Sequence, residues 1–322
     1  SNSDGGDYGA LQADSVTFTA SNPNSNWDGI RTYNFSRDNL TYVNDCIIEH
    51  ATNGIYAVAS RPSIENNIFR YNVDGVESTN DAIPLIANNT FIENIRPVSY
   101  YSHRVDSTLY GNTYIDNEKN YIELIGDDIY WNFNGTQKWA NDGAPYRVTE
   151  NISVRYNNNG GYLPILKIEP GTRVEFNENI KLQISIDNNN YRGALQANGV
   201  TFTRESDSDF YWSGIHFRNG SDDAESYLDD CTVEHANDGI LLINANPTIS
   251  NSVFQKNIDA IESNSSSRPN IIGNNFTLNQ YPVKIYGNDI DGNLYDNSYE
   301  NNHIISDGDT TSTDLYFLFM GK

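Results

Sequence analysis

Cysteine occurs twice in this chain of 322 residues and methionine once, and basic side chains are outnumbered 43 to 20 by acidic ones. Each scarcity excludes something. Cys46 and Cys231 stand at equivalent points of an internal repeat, many coils apart, and so cannot pair within the chain; they read as small buried hydrophobes. The net charge of −23 excludes a nucleic-acid backbone or an anionic membrane surface as partner. No apolar run approaches the roughly 20 residues that a membrane-spanning helix needs. No stretch sustains apolar residues at three- and four-residue spacing either, so amphipathic helices are not expected.

What the chain has instead is an echo. Residues 9–19 read GALQADSVTFT and residues 193–203 read GALQANGVTFT. The match continues with Trp27-Asp28-Gly29-Ile30 against Trp212-Ser213-Gly214-Ile215. Next, Cys46-Ile47-Ile48-Glu49-His50-Ala51 stands against Cys231-Thr232-Val233-Glu234-His235-Ala236. The offset is 184 at the start and then 185 through Phe69/Phe254, Phe91/Phe276 and Tyr114/Tyr299. A repeat in nearly constant register is one architectural unit used twice. The expected division is residues 1–126 as copy one, and 127–322 as lead-in coils plus copy two, in one continuous solenoid.

A finer period lies inside each copy. Phe69, Phe91 and Tyr114 are separated by 22 and 23 residues, as are Phe254, Phe276 and Tyr299. Three residues after each stands an asparagine (Asn72, Asn94, Asn117, Asn257, Asn279, Asn302). Two residues before stand Asn67, Asn89, Asn112, Ser252, Asn274 and Asn297. Short strands opened by Gly-Ile or an equivalent fall between. Such a period, with several strands in it, is one turn of a parallel β-helix. Ile, Val and Phe would stack on their counterparts about 4.8 Å away. Asparagine tolerates a left-handed turn, and stacked amides can form a hydrogen-bonded ladder. About 12–13 coils are expected, and the apolar tail 314–322 would cover an end or begin another strand.

The motifs LKIEPGTRVEF (166–176), GALQA..VTFT with a following W.GI, C.(V/I)EHA..GI and N..F..N resemble the right-handed parallel β-helix repeat proteins of bacterial and archaeal cell surfaces, with a pectate-lyase-like fold. The resemblance implies an all-β, single-stranded right-handed solenoid. It leaves function open, because polysaccharide lyases, glycoside hydrolases and adhesins share that architecture.

Two functions are therefore carried forward. One is a secreted or cell-surface segment of a larger multidomain protein, acting as a rigid spacer or adhesin and binding a polysaccharide or surface glycan. The chain's opening inside a repeat suggests an excised piece whose export signal and anchor lie outside it. The other is a polysaccharide lyase or glycoside hydrolase acting on an acidic glycan. Pectinase-type hydrolases of the fold carry paired aspartates and a Gly-His-Gly element. The pairs are present at Asp127-Asp128, Asp222-Asp223 and Asp229-Asp230, and Gly-His-Gly is absent. Lyases of the fold hold Ca²⁺ on the long parallel sheet beside a basic residue. The row of outward positions after each Gly-Ile reads Arg31, Tyr56, Glu77, Ser99, Glu123 in copy one and His216, Leu241, Glu262, Lys284 in copy two. Glu262, Lys284 and His216 are the candidate catalytic residues. Tyr56, Glu77, Tyr101 and Tyr286 are candidate carbohydrate contacts, and Tyr33 and Tyr100 also occupy strand positions that can face outward. For Ca²⁺, Asp289, Asp291, Asp307 and Asp309 form two Asp-x-Asp-like turns. Asp28, Asp74, Asp238 and Asp259 precede the strand-opening glycine or its equivalent and read as turn residues. His50 and His235, present in both copies, read as structural.

Overall fold

A computed structural model describes residues 9–302 and the strand 317–320, apart from positions 23, 35, 106, 131–134, 158–160, 189, 207, 265 and 287–292. The chain forms two compact units, residues 1–125 with 140–146, and residues 126–139 with 147–322. Among the described residues both are built from short parallel strands without α-helix, and the first also carries two short 3₁₀ turns, Asp38–Leu40 and Ser102–Arg104. A two-residue antiparallel pair, Tyr156–Asn157 with Tyr191–Arg192, is the exception to the parallel pattern.

In the first unit each coil contributes three strands to three sheets, and like residues stack on like. Val43, Ile64, Ile86 and Leu109 pair in one register, and Ile48, Phe69, Phe91 and Tyr114 in the second. Ile30, Ile55, Val76, Val98 and Ile122 form the third. Fully burying one such side chain is worth about 1.5–3 kcal/mol. The rings of Phe69, Phe91 and Tyr114 lie nearly parallel with centroids 5.0 and 5.4 Å apart. Five coils follow one another in this unit.

The second unit repeats the scheme with a sheet of seven strands and a sheet of eight. Val233, Phe254, Phe276 and Tyr299 stack in one line, and Leu182, Ile215, Ile240, Ile261 and Val283 in another. The tail strand Phe317–Met320 pairs in parallel with Val283–Tyr286, so the tail extends a sheet. This is the parallel β-helix expected from the repeat.

The corners show where asparagine acts. Its two expected tasks, left-handed backbone and amide ladder, fall on neighbouring residues. The ladder amides of Asn67, Asn89, Asn72 and Asn94 are buried. Asn67 donates its backbone N–H and Nδ2 to Oδ1 of Asn89, which does the same to Asn112. Each amide also gives Nδ2 to a carbonyl of the coil before, as Asn89 does to Ile64 at 2.9 Å. The residue just before each ladder position carries the positive φ: Asn66 and Asn88 on one corner, Tyr71 and Glu93 on the other. A left-handed non-glycine residue costs about 1–2 kcal/mol. Three side-chain hydrogen bonds at about 1 kcal/mol each outweigh it. That is why Tyr71, Lys256 and Leu278 tolerate a conformation their side chains disfavour.

Cys46 and Cys231 stand at the start of these ladders. Both are buried and unpaired, and each gives its N–H to the next coil, Cys46 to Asn67 Oδ1 and Cys231 to Ser252 Oγ. Burial pushes the Cys231 thiol up to about 11, which keeps it a neutral packing group. In the first unit one ladder ends on an acid. Asp142 accepts from the Asn112 N–H at 3.0 Å, from its Nδ2 at 2.9 Å and from the Tyr114 hydroxyl at 2.6 Å.

Candidate functional site

In the first unit Arg31, Tyr56, Glu77, Ser99 and Glu123 lie side by side on consecutive strands, in the order read from the sequence. The Arg31 guanidinium sits over the Tyr56 ring, 5.6 Å from its centroid, and Tyr33 beside it is exposed. Arg31 and Tyr33 border a shallow depression of about 330 Å³ shared with Leu11, Ser36 and Thr41. Further along, the row closes. Asn53 donates Nδ2 to Glu77 at 2.5 Å, and burial holds the Glu77 carboxyl above the usual range. Arg96 bridges two acids, Asp74 at 2.5 Å and Glu123, and Ser99 donates to Glu123 at 3.2 Å. Ser99 and Glu123 are thereby buried.

In the second unit His216, Leu241, Glu262 and Lys284 also follow strand by strand. Glu262 and Lys284 come together: Nζ lies 3.9 Å from the glutamate. His216 stays out. Leu241 stands between it and Glu262, its ring is buried, and Nε2 donates to the Ser213 carbonyl at 3.1 Å. Burial pushes this imidazole down to about 4. The expected Glu–Lys–His face is a Glu–Lys pair with two more acids. Asp238, Asp259 and Glu262 each present a carboxylate oxygen within 4.8 Å of the others. Lys284 Nζ binds Asp259 Oδ2 at 2.5 Å and lies 4.5 Å above the centre of the Tyr281 ring. Burial, and then the charges of Glu262 and Asp259, push Asp238 up to about 6. Burial, opposed by Lys284, raises Glu262 as well.

Asp74 and Asp259 correct the reading as turn residues. Each opens a strand, and its buried carboxylate binds a basic residue of the following coil, Arg96 or Lys284. Asp-Gly before a strand has the composition of a turn, and nothing local shows that the side chain points along the axis. Tyr100 corrects another expectation. It is fully buried and donates its hydroxyl to the Pro84 carbonyl at 2.7 Å. Alternation counted from inward Val98 puts Tyr100 inside and Tyr101 outside, where it meets His103 at 5.8 Å. The Tyr286 side chain and Asp289, Asp291, Asp307 and Asp309 lie outside the described residues.

The residues shared by both copies serve the coil. Trp27 and Trp212 donate their indole N–H to the carbonyls of Glu49 and Glu234, both at 2.9 Å. His50 and His235 hold left-handed corners. Of the paired aspartates, Asp128 binds Arg155 at 2.6 Å, Asp222 binds Arg192, and Asp229 accepts from Ser250 and Asn251, both at 2.8 Å.

The family model described as "Right handed beta helix region" matches residues 2–114. From residue 9 on, the described strands of this stretch form the parallel β-helix set out above. No curated protein and no solved structure matches the chain.

Within the β-helix the two copies differ at the polar row. Asn53 of the first copy corresponds to Asp238, Arg96 to Tyr281 and Ser99 to Lys284. Glycine is required behind the first of these positions in both. A Cβ on Gly29 would lie 1.5 Å from the Asn53 carbonyl oxygen, and one on Gly214 1.5 Å from that of Asp238. The backbone frame is therefore common, and the charges on it are what changed.

Proposed function

We propose that this chain is a stiff β-helix segment of a secreted or cell-surface protein, and that it binds an acidic polysaccharide on the outward row of its first unit. The observation that carries the reading is the exposed Arg31 guanidinium over Tyr56, beside exposed Tyr33 and a shallow depression. In a chain of net charge −23, a cation with two rings and no carboxylate within ion-pair distance among the described residues is suited to an anionic sugar. Tyr56 supplies a face for a ring, and a neighbouring coil offers Glu77 as an acceptor. The two ladders and the aromatic stack give each unit the rigidity a scaffold needs.

The test is a panel of uronic-acid and neutral oligosaccharides assayed for binding and cleavage. Binding of uronic-acid oligomers, weakened about tenfold by Arg31→Ala and by Tyr56→Ala, is the expected result. Binding indifferent to both substitutions sinks the reading. Turnover abolished by Lys284→Ala would replace it with an enzyme.

A further inference from the structure

We propose that Asp238, Asp259 and Glu262 form a divalent-cation site, best fitted by Ca²⁺, in which Lys284 is the resident counter-ion. It lies in the second unit and is independent of the glycan reading. Two neighbouring strands of one sheet deliver the three acids, with Asp238 opposite Asp259 in register, and the next strand supplies Lys284. Their oxygens fall within 4.8 Å of one another, a span that a Ca²⁺ ion with ligands at about 2.3–2.6 Å can bridge. Carboxylates alone would make only an acidic patch. The deciding observation is Asp259: it is 6 % exposed, and its Oδ1 is buried with no hydrogen-bond partner, while Oδ2 is held by Lys284. A buried carboxylate oxygen without a donor leaves its desolvation uncompensated. A cation in contact with it removes that cost.

Charge favours the same conclusion. Three carboxylates and one ammonium leave a formal excess of two negative charges, which one divalent ion neutralises. The first copy closes the same frame internally. Asn53 replaces Asp238 and donates to Glu77, and Arg96 takes Asp74 and Glu123 together. The second copy has Tyr281 where Arg96 would be, and this ring gives the Lys284 ammonium a resting place 4.5 Å from its centre.

The experiment titrates the whole chain, stripped of metal, with CaCl₂ by calorimetry and with Tb³⁺ by tyrosine-sensitised luminescence. One saturable site is expected, with Ca²⁺ displacing Tb³⁺. Asp259→Asn and Glu262→Gln should each weaken it at least tenfold, Asp45→Asn should leave it unchanged, and Lys284→Ser should tighten it about tenfold. The half-buried Glu262 carries the test should Asp259→Asn fail to fold. No saturable binding at millimolar Ca²⁺, or binding unaffected by Glu262→Gln, overturns the site. Unchanged affinity in Lys284→Ser overturns the counter-ion role.

Discussion

Asn72 gives both its backbone N–H and its Nδ2 to a single atom, Oδ1 of Asn94, at 3.1 and 3.0 Å. Asn94 in turn donates Nδ2 to the Phe69 carbonyl at 2.9 Å. Asn94→Ala strands two buried donors and one acceptor, each worth about 1 kcal/mol or more when left unpaired. A loss of about 3 kcal/mol in urea unfolding is expected; a loss under 1 kcal/mol would show that the ladder adds little.

Asp142 ends the companion ladder as an acid, and burial raises its pKa despite donors from Tyr114 and Asn112. The folded chain therefore keeps this proton at pH values where the unfolded chain has released it. Stability falls as pH rises through the window above the ordinary carboxylate value of about 3.9. Asp142→Asn can accept both Asn112 donors on one Oδ1, as Asn89 does for Asn67. Denaturation from pH 4 to 8 should show the variant's advantage growing with pH. A difference that does not change with pH contradicts the account.

His216 behaves in the opposite sense. Its folded pKa is pushed down to about 4 by burial, against about 6.5 unfolded. Its contribution is complete above pH 6.5 and is lost as pH falls toward 4, by roughly 3 kcal/mol at 1.36 kcal/mol per pKa unit. His216→Phe should flatten that part of the acid-unfolding curve. An NMR titration placing the imidazole near 6.5 in the folded chain would refute it.

Gly214 has φ +106°, and a methyl group there would collide with the Asp238 carbonyl. Gly214→Ala should cost more than about 4 kcal/mol, or prevent folding of the second unit. Gly199, at φ +63° with its nearest neighbour 3.4 Å away, supplies the comparison. Its alanine variant should lose about 1–2 kcal/mol. Equal losses at the two glycines would mean that φ, and not the collision, sets the cost.

The coil was readable because its determinants repeat. Phe69, Phe91 and Tyr114 recur with the period of the chain path, and the outward rows Arg31 to Glu123 and His216 to Lys284 follow from counting residues after each Gly-Ile. The acidic cluster was half readable. Glu262 and Lys284 lie on the counted row, but Asp238 and Asp259 are each three residues before a row position, and only the backbone course turns them toward it. The left-handed corners at Tyr71, Glu93 and Leu278 carry no local mark. Their conformation is set by an amide one residue later that is held from another coil.

Those amides share a direction. Each ladder asparagine accepts on Oδ1 a backbone N–H of the coil made before it and gives one Nδ2 hydrogen to a carbonyl of that coil, as Asn94 and Asn279 do. A coil's corner is thus completed only by its successor. Closure within each unit therefore has a grain that runs from amino to carboxyl end, each coil's corner depending on the coil after it.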